Sequence, residues 1–327
     1  MPHDKIFDRL SHAAYTSALI LFLLFAIPSW ATFPGQNGKI VFSASTSGSW
    51  QLYSVNADGT DIVQITNLPG TGGVNMIGLA QPAVSPDGKR IVFAYGPFDN
   101  NGNPLPDLYI INMDGTGLVR LTNDGVSSAP RWSLDGTQIV FARTSTRSFV
   151  NTIVVMNADG SGTPVTLTND SWDSYGPFYT PDGKQIVNYS ENGGFVSAVW
   201  IMHSDGTDMM RLTPAPLEGF PFDVSPDGKH LLIGNHGNSP AVLSNDIFVM
   251  NLDGTQLKHL THFPQTHHDG DARYSPDGTK IVFASDRLTS DGSLDLFVMT
   301  ADGSNIQRIA INCVTPTWGS KPQGLPK

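Results

Sequence analysis

Along most of the chain, short apolar runs alternate with polar turns built on Asp-Gly. Ile139-Val140-Phe141-Ala142 follows the turn Leu134-Asp135-Gly136, and Ile153-Val154-Val155-Met156 leads into Ala158-Asp159-Gly160. Runs of roughly five residues, rich in β-branched and aromatic side chains and closed by turn residues, predict strands rather than helices. In the turns, proline presets the first central φ, aspartate bonds its own backbone and glycine takes the positive φ of a tight hairpin. The expected local structure is an antiparallel meander.

The meander repeats. SPDGKRIVFA starts at Ser85, SLDGTQIVFA at Ser133, TPDGKQIVNY at Thr180, SPDGKHLLIG at Ser225 and SPDGTKIVFA at Ser275, with a worn copy from Pro34. A second phrase, of the form NADGT, carries Asp58, Asp114, Asp159, Asp205, Asp253 and Asp302, spaced 45 to 56 residues apart. That period holds four short strands, here lettered a to d. Six such units predict a six-bladed β-propeller of four-stranded antiparallel blades. In one unit, strand a is expected over Ala129–Ser133, b over Gln138–Ala142 and c over Ile153–Asn157, with d ending at Leu167-Thr168. The first unit lacks a strand a, and Val314–Gly319 near the C-terminus matches it. The C-terminal strand should therefore complete the first blade and leave no open sheet edge.

At the N-terminus, Lys5 and Arg9 precede the apolar run Ala18–Ile27, Pro28 and the small-residue site Ser29-Trp30-Ala31. Residues 1–31 read as a signal peptide, with an uncleaved anchor as the alternative, and 32–327 as the propeller. The formal charge is −10, and no Lys/Arg cluster occurs, which argues against nucleic acid and anionic membrane surfaces. Cys313 is the single cysteine, so no internal disulfide forms, and its apolar surroundings mark it as a small buried hydrophobe.

Tyr274-Ser275-Pro276-Asp277-Gly278, Phe283-Ala284-Ser285-Asp286-Arg287 and Asp295-Leu296-Phe297-Val298-Met299 form the fullest copy of the unit. It resembles the PD40 repeat, the WD40-like repeat of TolB-type exported propellers, and the resemblance runs from Phe33 to Gly319. It implies an extracytoplasmic, periplasmic or secreted propeller and a protein partner in the cell envelope, in envelope maintenance or protein transport. With the propeller starting within a few residues of the expected cleavage site, the α/β domain that precedes it in TolB is expected to be absent.

Because strands alternate in direction, every Asp-Gly turn should fall on one side of the disc, and the irregular b-to-c and d-to-a connections on the other. Irregular loops on a rigid scaffold are where binding concentrates. At matched positions of strand a stand Ala83, Arg131, Phe178, Asp223, Arg273 and Thr317, alternating with the bulky Val84, Trp132, Tyr179, Val224, Tyr274 and Trp318. The bulky set is expected between blades. Arg131, Phe178, Asp223 and Arg273 are then candidates at the central channel, where two cations beside a carboxylate suit an anion or an acidic peptide, or form a structural ion pair. The last blade-to-blade connection gathers His262, His267, His268, Asp269 and Asp271; its default reading is a solvated polar loop, and its alternative a metal or acid-base site. Asp99, Asn101 and Asn103 alternate like calcium ligands, but Pro104 and Ile110 stand where a calcium loop needs glycine and glutamate. No G-x-S-x-G elbow occurs, and the repeats leave no length for a hydrolase domain. The leading expectation is a monomeric, non-enzymatic binding platform with no cofactor. The alternatives are a metal-dependent propeller lyase or lactonase and a structural surface or adhesion component.

Overall fold

The computed structural model describes residues 34–45, 50–69, 81–97, 99, 104–191, 197–214, 217–234, 246–262 and 267–322. The expected signal segment, residues 1–31, lies outside them, as do Asn101 and Asn103. The first blade contains β1 (Asn37–Ser45), β2 (Trp50–Val55) and β3 (Val63–Gln64). The second contains β4 (Ala83–Val84), β5 (Arg90–Tyr95), β6 (Asp107–Asn112) and β7 (Val119–Arg120). The third contains β8 (Ser127–Trp132), β9 (Gln138–Thr144), β10 (Asn151–Asn157) and β11 (Val165–Thr166), and the fourth β12 (Asp173–Tyr179), β13 (Gln185–Glu191), β14 (Ser197–His203) and β15 (Met210–Arg211). The fifth holds β16 (Phe220–Val224), β17 (His230–Gly234), β18 (Ile247–Asn251) and β19 (Lys258–His259). The sixth holds β20 (Asp269–Tyr274), β21 (Lys280–Ser285), β22 (Asp295–Thr300) and β23 (Gln307–Ala310), and the chain ends on β24 (Cys313–Ser320).

Each blade is an antiparallel four-stranded sheet, and the first has the order β24, β1, β2, β3. The expected six-bladed propeller and its C-terminal closure are thus both present: β24 pairs antiparallel with β1, Trp318 facing Ile40 and Cys313 facing Ala44. Among the described residues, no helix is long and apolar enough to cross a membrane.

The turns obey the chemistry their residues dictate. In the first phrase, the Ser275 hydroxyl donates to Asp277 at 2.6 Å and accepts the Lys280 N–H at 2.9 Å, while Gly278 takes φ 72°. In the second, Asp114 accepts both the N–H and the hydroxyl of Thr116, and Gly115 takes φ 83°. The Ile-Thr or Leu-Thr pair after it has a third duty. Thr66, Thr122, Thr168, Thr213 and Thr261 each accept an N–H within the first three residues of strand c of their own blade, from Leu52, Leu108, Ile153, Val199 and Ile247, at 2.9 to 3.2 Å.

The core lies between blades. Ile40, Phe42 and Trp318 of the first blade pack with Val282, Leu296 and Val298 of the sixth. Trp132 packs on the second blade and donates its indole N–H to the Ala83 carbonyl at 3.1 Å. All six bulky strand-a residues are buried.

Strand boundaries differ from the sequence reading at strand a. β8 and β20 start earlier than the apolar pattern suggests, because a register shift lets polar residues pair upstream of it, between Ser128 and Arg131 and between Gly270 and Arg273. Gln81, Ala129, Gly176, Asp271 and Thr315, each three residues before the bulky position, carry positive φ between 32° and 61°. In the fifth blade Pro221 stands there; its ring fixes a negative φ, and the strand still slips register between Pro221 and Asp223. A bulge adds a residue and re-aims the side chains beyond it.

Candidate functional site

The bulge on strand a brings three charged candidates together at the propeller axis. Arg131, Asp223 and Arg273 are 4%, 0% and 2% exposed, and Phe178 is fully buried beside them in sequence register. Asp223 accepts the Tyr274 N–H at 2.7 Å, tying the fifth blade to the sixth. Arg273 donates to the carbonyls of Ala272 at 2.6 Å and of Phe222 at 3.1 Å, the latter again across the blade boundary. Arg131 donates to the Pro130 carbonyl at 2.7 Å. Burial, with Arg273 nearby, holds the Arg131 guanidinium well below the usual arginine range, and Asp223 opposes that drop. Burial likewise lowers Arg273 to about 10 against the pull of Asp271 and Asp223. The axis is therefore a buried electrostatic network, in which side-chain-to-backbone hydrogen bonds cross from blade to blade.

Asp271, at φ 54°, belongs to the same network: its carboxylate accepts the Thr315 N–H of the first blade at 3.3 Å. Burial pushes it up to about 6, although Arg273 and the Thr315 N–H pull the other way. Its other oxygen is buried with no hydrogen-bond partner among the described residues.

The remaining histidine-loop candidates scatter. Asp269 opens β20 and accepts two hydrogen bonds from Arg287 Nη2, at 2.8 and 2.7 Å, while that guanidinium lies over the rings of Phe283 and Phe297. His268 donates its backbone N–H to Asp286 at 2.7 Å, and burial lowers its imidazole below the ordinary histidine value despite Asp286 and Asp269. His267 Nδ1 stands 3.5 Å from the same carboxylate. The segment is thus not the solvated loop of the default reading: Asp269 and Asp271 are buried in a strand, each engaged by a different partner. Asp99 is half-buried in the second blade's b-to-c connection.

One group was named only in part by the sequence reading, which had His262 but neither Asp246 nor His259. Asp246, His259 and His262 present ligand atoms that all lie within 4.8 Å of one another. His259 Nε2 is 2.7 Å from Asp246 Oδ2, its ring stacks on Phe248 at 4.2 Å, and His262 meets it edge-on at 3.9 Å. The signal for it lay in the repeats. His259 occupies the strand-d position of Arg120, Arg211 and Arg308, and His262 that of Asn67, Asn123 and Asn169.

Comparison with known proteins fits this architecture. A family model described as the TolB beta propeller domain, PD40, matches residues 71–244. The Tol-Pal system protein TolB of Francisella tularensis subsp. tularensis is 32% identical over 164 residues, covering 50% of this chain and 34% of that protein. The chain thus spans about a third of the length of such curated relatives. Among solved structures, TolB from Acinetobacter baumannii superposes with TM-score 0.69 at 20% identity, over 88% of this chain and 68% of that one. An oligogalacturonate lyase in complex with manganese superposes with TM-score 0.54 at 16% identity, over 80% and 73% of the two chains. At those identities the two structures attest the fold alone. On the family match and the repeats that carry it, this chain belongs to the PD40 family, the TolB beta propeller domain.

Proposed function

We propose that this chain is an exported, periplasmic or secreted propeller that works as a monomeric, non-enzymatic platform for a protein partner in the cell envelope. The partner meets the face formed by the b-to-c and d-to-a connections. Phe149 carries this reading. It sits in the connection from β9 to β10, 77% exposed, with φ 57°. The Phe149 N–H bonds the Ser145 carbonyl at 2.9 Å, and Ser145 N–H bonds the Val150 carbonyl at 2.8 Å, so the connection is closed on itself. A left-handed backbone under a bulky aromatic costs about 1–3 kcal/mol, and the exposed ring recovers nothing by burial in the free protein. A partner that covers the ring offsets both. Leu288 and Ile311, on connections of the same face, are also largely exposed. The Tol-Pal system to which the TolB relatives are assigned supplies the envelope setting.

The test is a crosslinking pull-down from the envelope fraction, run with the full chain and with Phe149→Ser. The expected result is one envelope protein retained by the parent chain and lost from the variant, at an unchanged melting temperature. Equal retention by both, or by neither, overturns the reading. A metal-dependent propeller enzyme is the second reading, supported by the Asp246, His259 and His262 group; turnover of a substrate that stops when metal is stripped would select it.

A further inference from the structure

In three of the units a residue of strand d meets the acidic residue at the start of strand c, and in two of them this is an arginine–carboxylate pair. Arg120 meets Asp107 at 2.5 Å in the second blade, and Arg308 meets Asp295 at 3.2 Å in the sixth. The position is a structural fastener: each carboxylate is buried and the arginine lies partly over it. In the fifth blade the carboxylate is kept as Asp246, but the arginine is exchanged for His259. The residue three positions on, asparagine in the first three blades, is exchanged for His262. Two independent exchanges in one blade convert a guanidinium fastener, which cannot ligate a cation, into two imidazoles beside a carboxylate, which can.

We propose that Asp246, His259 and His262 form a binding site for a divalent transition metal, of which Zn2+ is the best fit. The donor set is two nitrogens and one carboxylate oxygen, a combination that suits zinc and not calcium or magnesium. The distances allow it. Tetrahedral zinc with bonds of about 2.0–2.1 Å holds its ligand atoms roughly 3.3 Å apart, and the three donors already lie within 4.8 Å. Asp246 is buried, His259 is half-buried and His262 is exposed, so the group opens outward and would leave a bound cation's remaining position to solvent. Phe248, stacked flat on His259 at 4.2 Å and 6°, fixes the plane of that ring. A site with three protein ligands and one outward position accepts water or a donor from a docking partner. This inference stands whichever of the two functional readings holds, because it concerns the cation alone.

The experiment is zinc titration of the tag-free, metal-stripped full chain by calorimetry, with Co2+ substitution read by its visible absorption, which reports tetrahedral coordination. Two variants copy sister blades: His259→Arg restores the fastener of Asp107 and Asp295, and His262→Asn restores the residue of the first three blades. The expected result is one Zn2+ per parent chain and at least a tenfold loss of affinity, with loss of the cobalt spectrum, in each variant. No stoichiometric zinc on the parent chain, or equal binding by parent and both variants, overturns the proposal. Should His259→Arg fail to fold, the exposed His262→Asn decides the question alone.

Discussion

The Asp223 carboxylate, on the innermost strand of the fifth blade, accepts a 2.7 Å hydrogen bond from the backbone N–H of Tyr274 on the innermost strand of the sixth. Asp271 repeats the device one blade later, accepting from Thr315. Because Thr315 lies on β24, which pairs with β1, the second of these bonds spans the seam at which the ring closes. Acidic side chains at the axis therefore act as stitches between sheets, and the arginines Arg131 and Arg273 supply the counter-charge that lets them be buried.

The stitch at Asp271 predicts a pH dependence. Burial raises this carboxyl from 3.8 to about 6, opposed by Arg273 and the Thr315 N–H. Between about pH 4 and pH 6 the folded chain then binds more protons at this site than the unfolded chain, so its contribution to stability falls as pH rises through that window and is flat above it. Asp271→Asn, which keeps an acceptor oxygen for Thr315, should flatten that part of the curve. Urea melts of both proteins at intervals from pH 4 to 7 check it; parallel curves would show that Asp271 ionises freely in the fold.

Closure can be followed with a single thiol. Cys313 lies on β24, is buried, and its thiol is pushed up to about 12 by burial, with Asp295 adding to the rise. A thiol of that kind reacts only when the strand leaves the first blade. Labelling with a disulfide reagent at pH 8 should be negligible in the native protein and complete in denaturant. Trp318→Ala, which empties a buried site in the same strand, should destabilise by about 3–5 kcal/mol and raise the native labelling rate. Rapid labelling of the parent protein would mean that the clasp is open.

Most of the fold was legible because the turns repeat and turn chemistry is local: a Pro-Asp-Gly or Ala-Asp-Gly triplet needs no distant partner to specify its hairpin. The closing strand was legible for the same reason, since Val314–Gly319 copies a motif and the first unit lacks it. The bulge on strand a was not. Its positive-φ position reads Gln81, Ala129, Gly176, Asp271 and Thr315, with only one glycine to betray it. The histidine loop misled for a related reason: adjacent polar residues look solvated in sequence, yet the bulge carries Asp269 and Asp271 inward to separate partners. Asp246 precedes β18 and His259 lies 13 residues on, in β19, so only superimposing the units reveals that they meet.

The threonine that follows five of the six second phrases is worth testing away from the candidate sites. Thr122 is buried; its hydroxyl donates to Asp107 at 3.0 Å and accepts the Leu108 N–H at 2.9 Å. Thr122→Val keeps the shape and leaves a buried N–H without its acceptor, which should cost about 1–3 kcal/mol. The sixth unit, where Ala310 occupies the position, marks the fold's tolerance for one such loss. A melting temperature within a degree of the parent's would show that water or backbone replaces the hydroxyl.

Arg287 and Asp269 form a buried ion pair in the sixth blade. The pair is buried, held by two hydrogen bonds and covered by Phe283 and Phe297. Arg287→Met keeps most of the apolar packing but strands a carboxylate in the interior, and breaking a buried pair in this way costs about 3–5 kcal/mol. Replacing both, as Asp269→Asn with Arg287→Met, removes both charges and should recover most of the loss. Chemical denaturation of the two single variants and the double variant closes the cycle. A double variant as unstable as Arg287→Met would show that the guanidinium acts through its contact with the two rings, and that the ion pair contributes little to holding the sixth blade together.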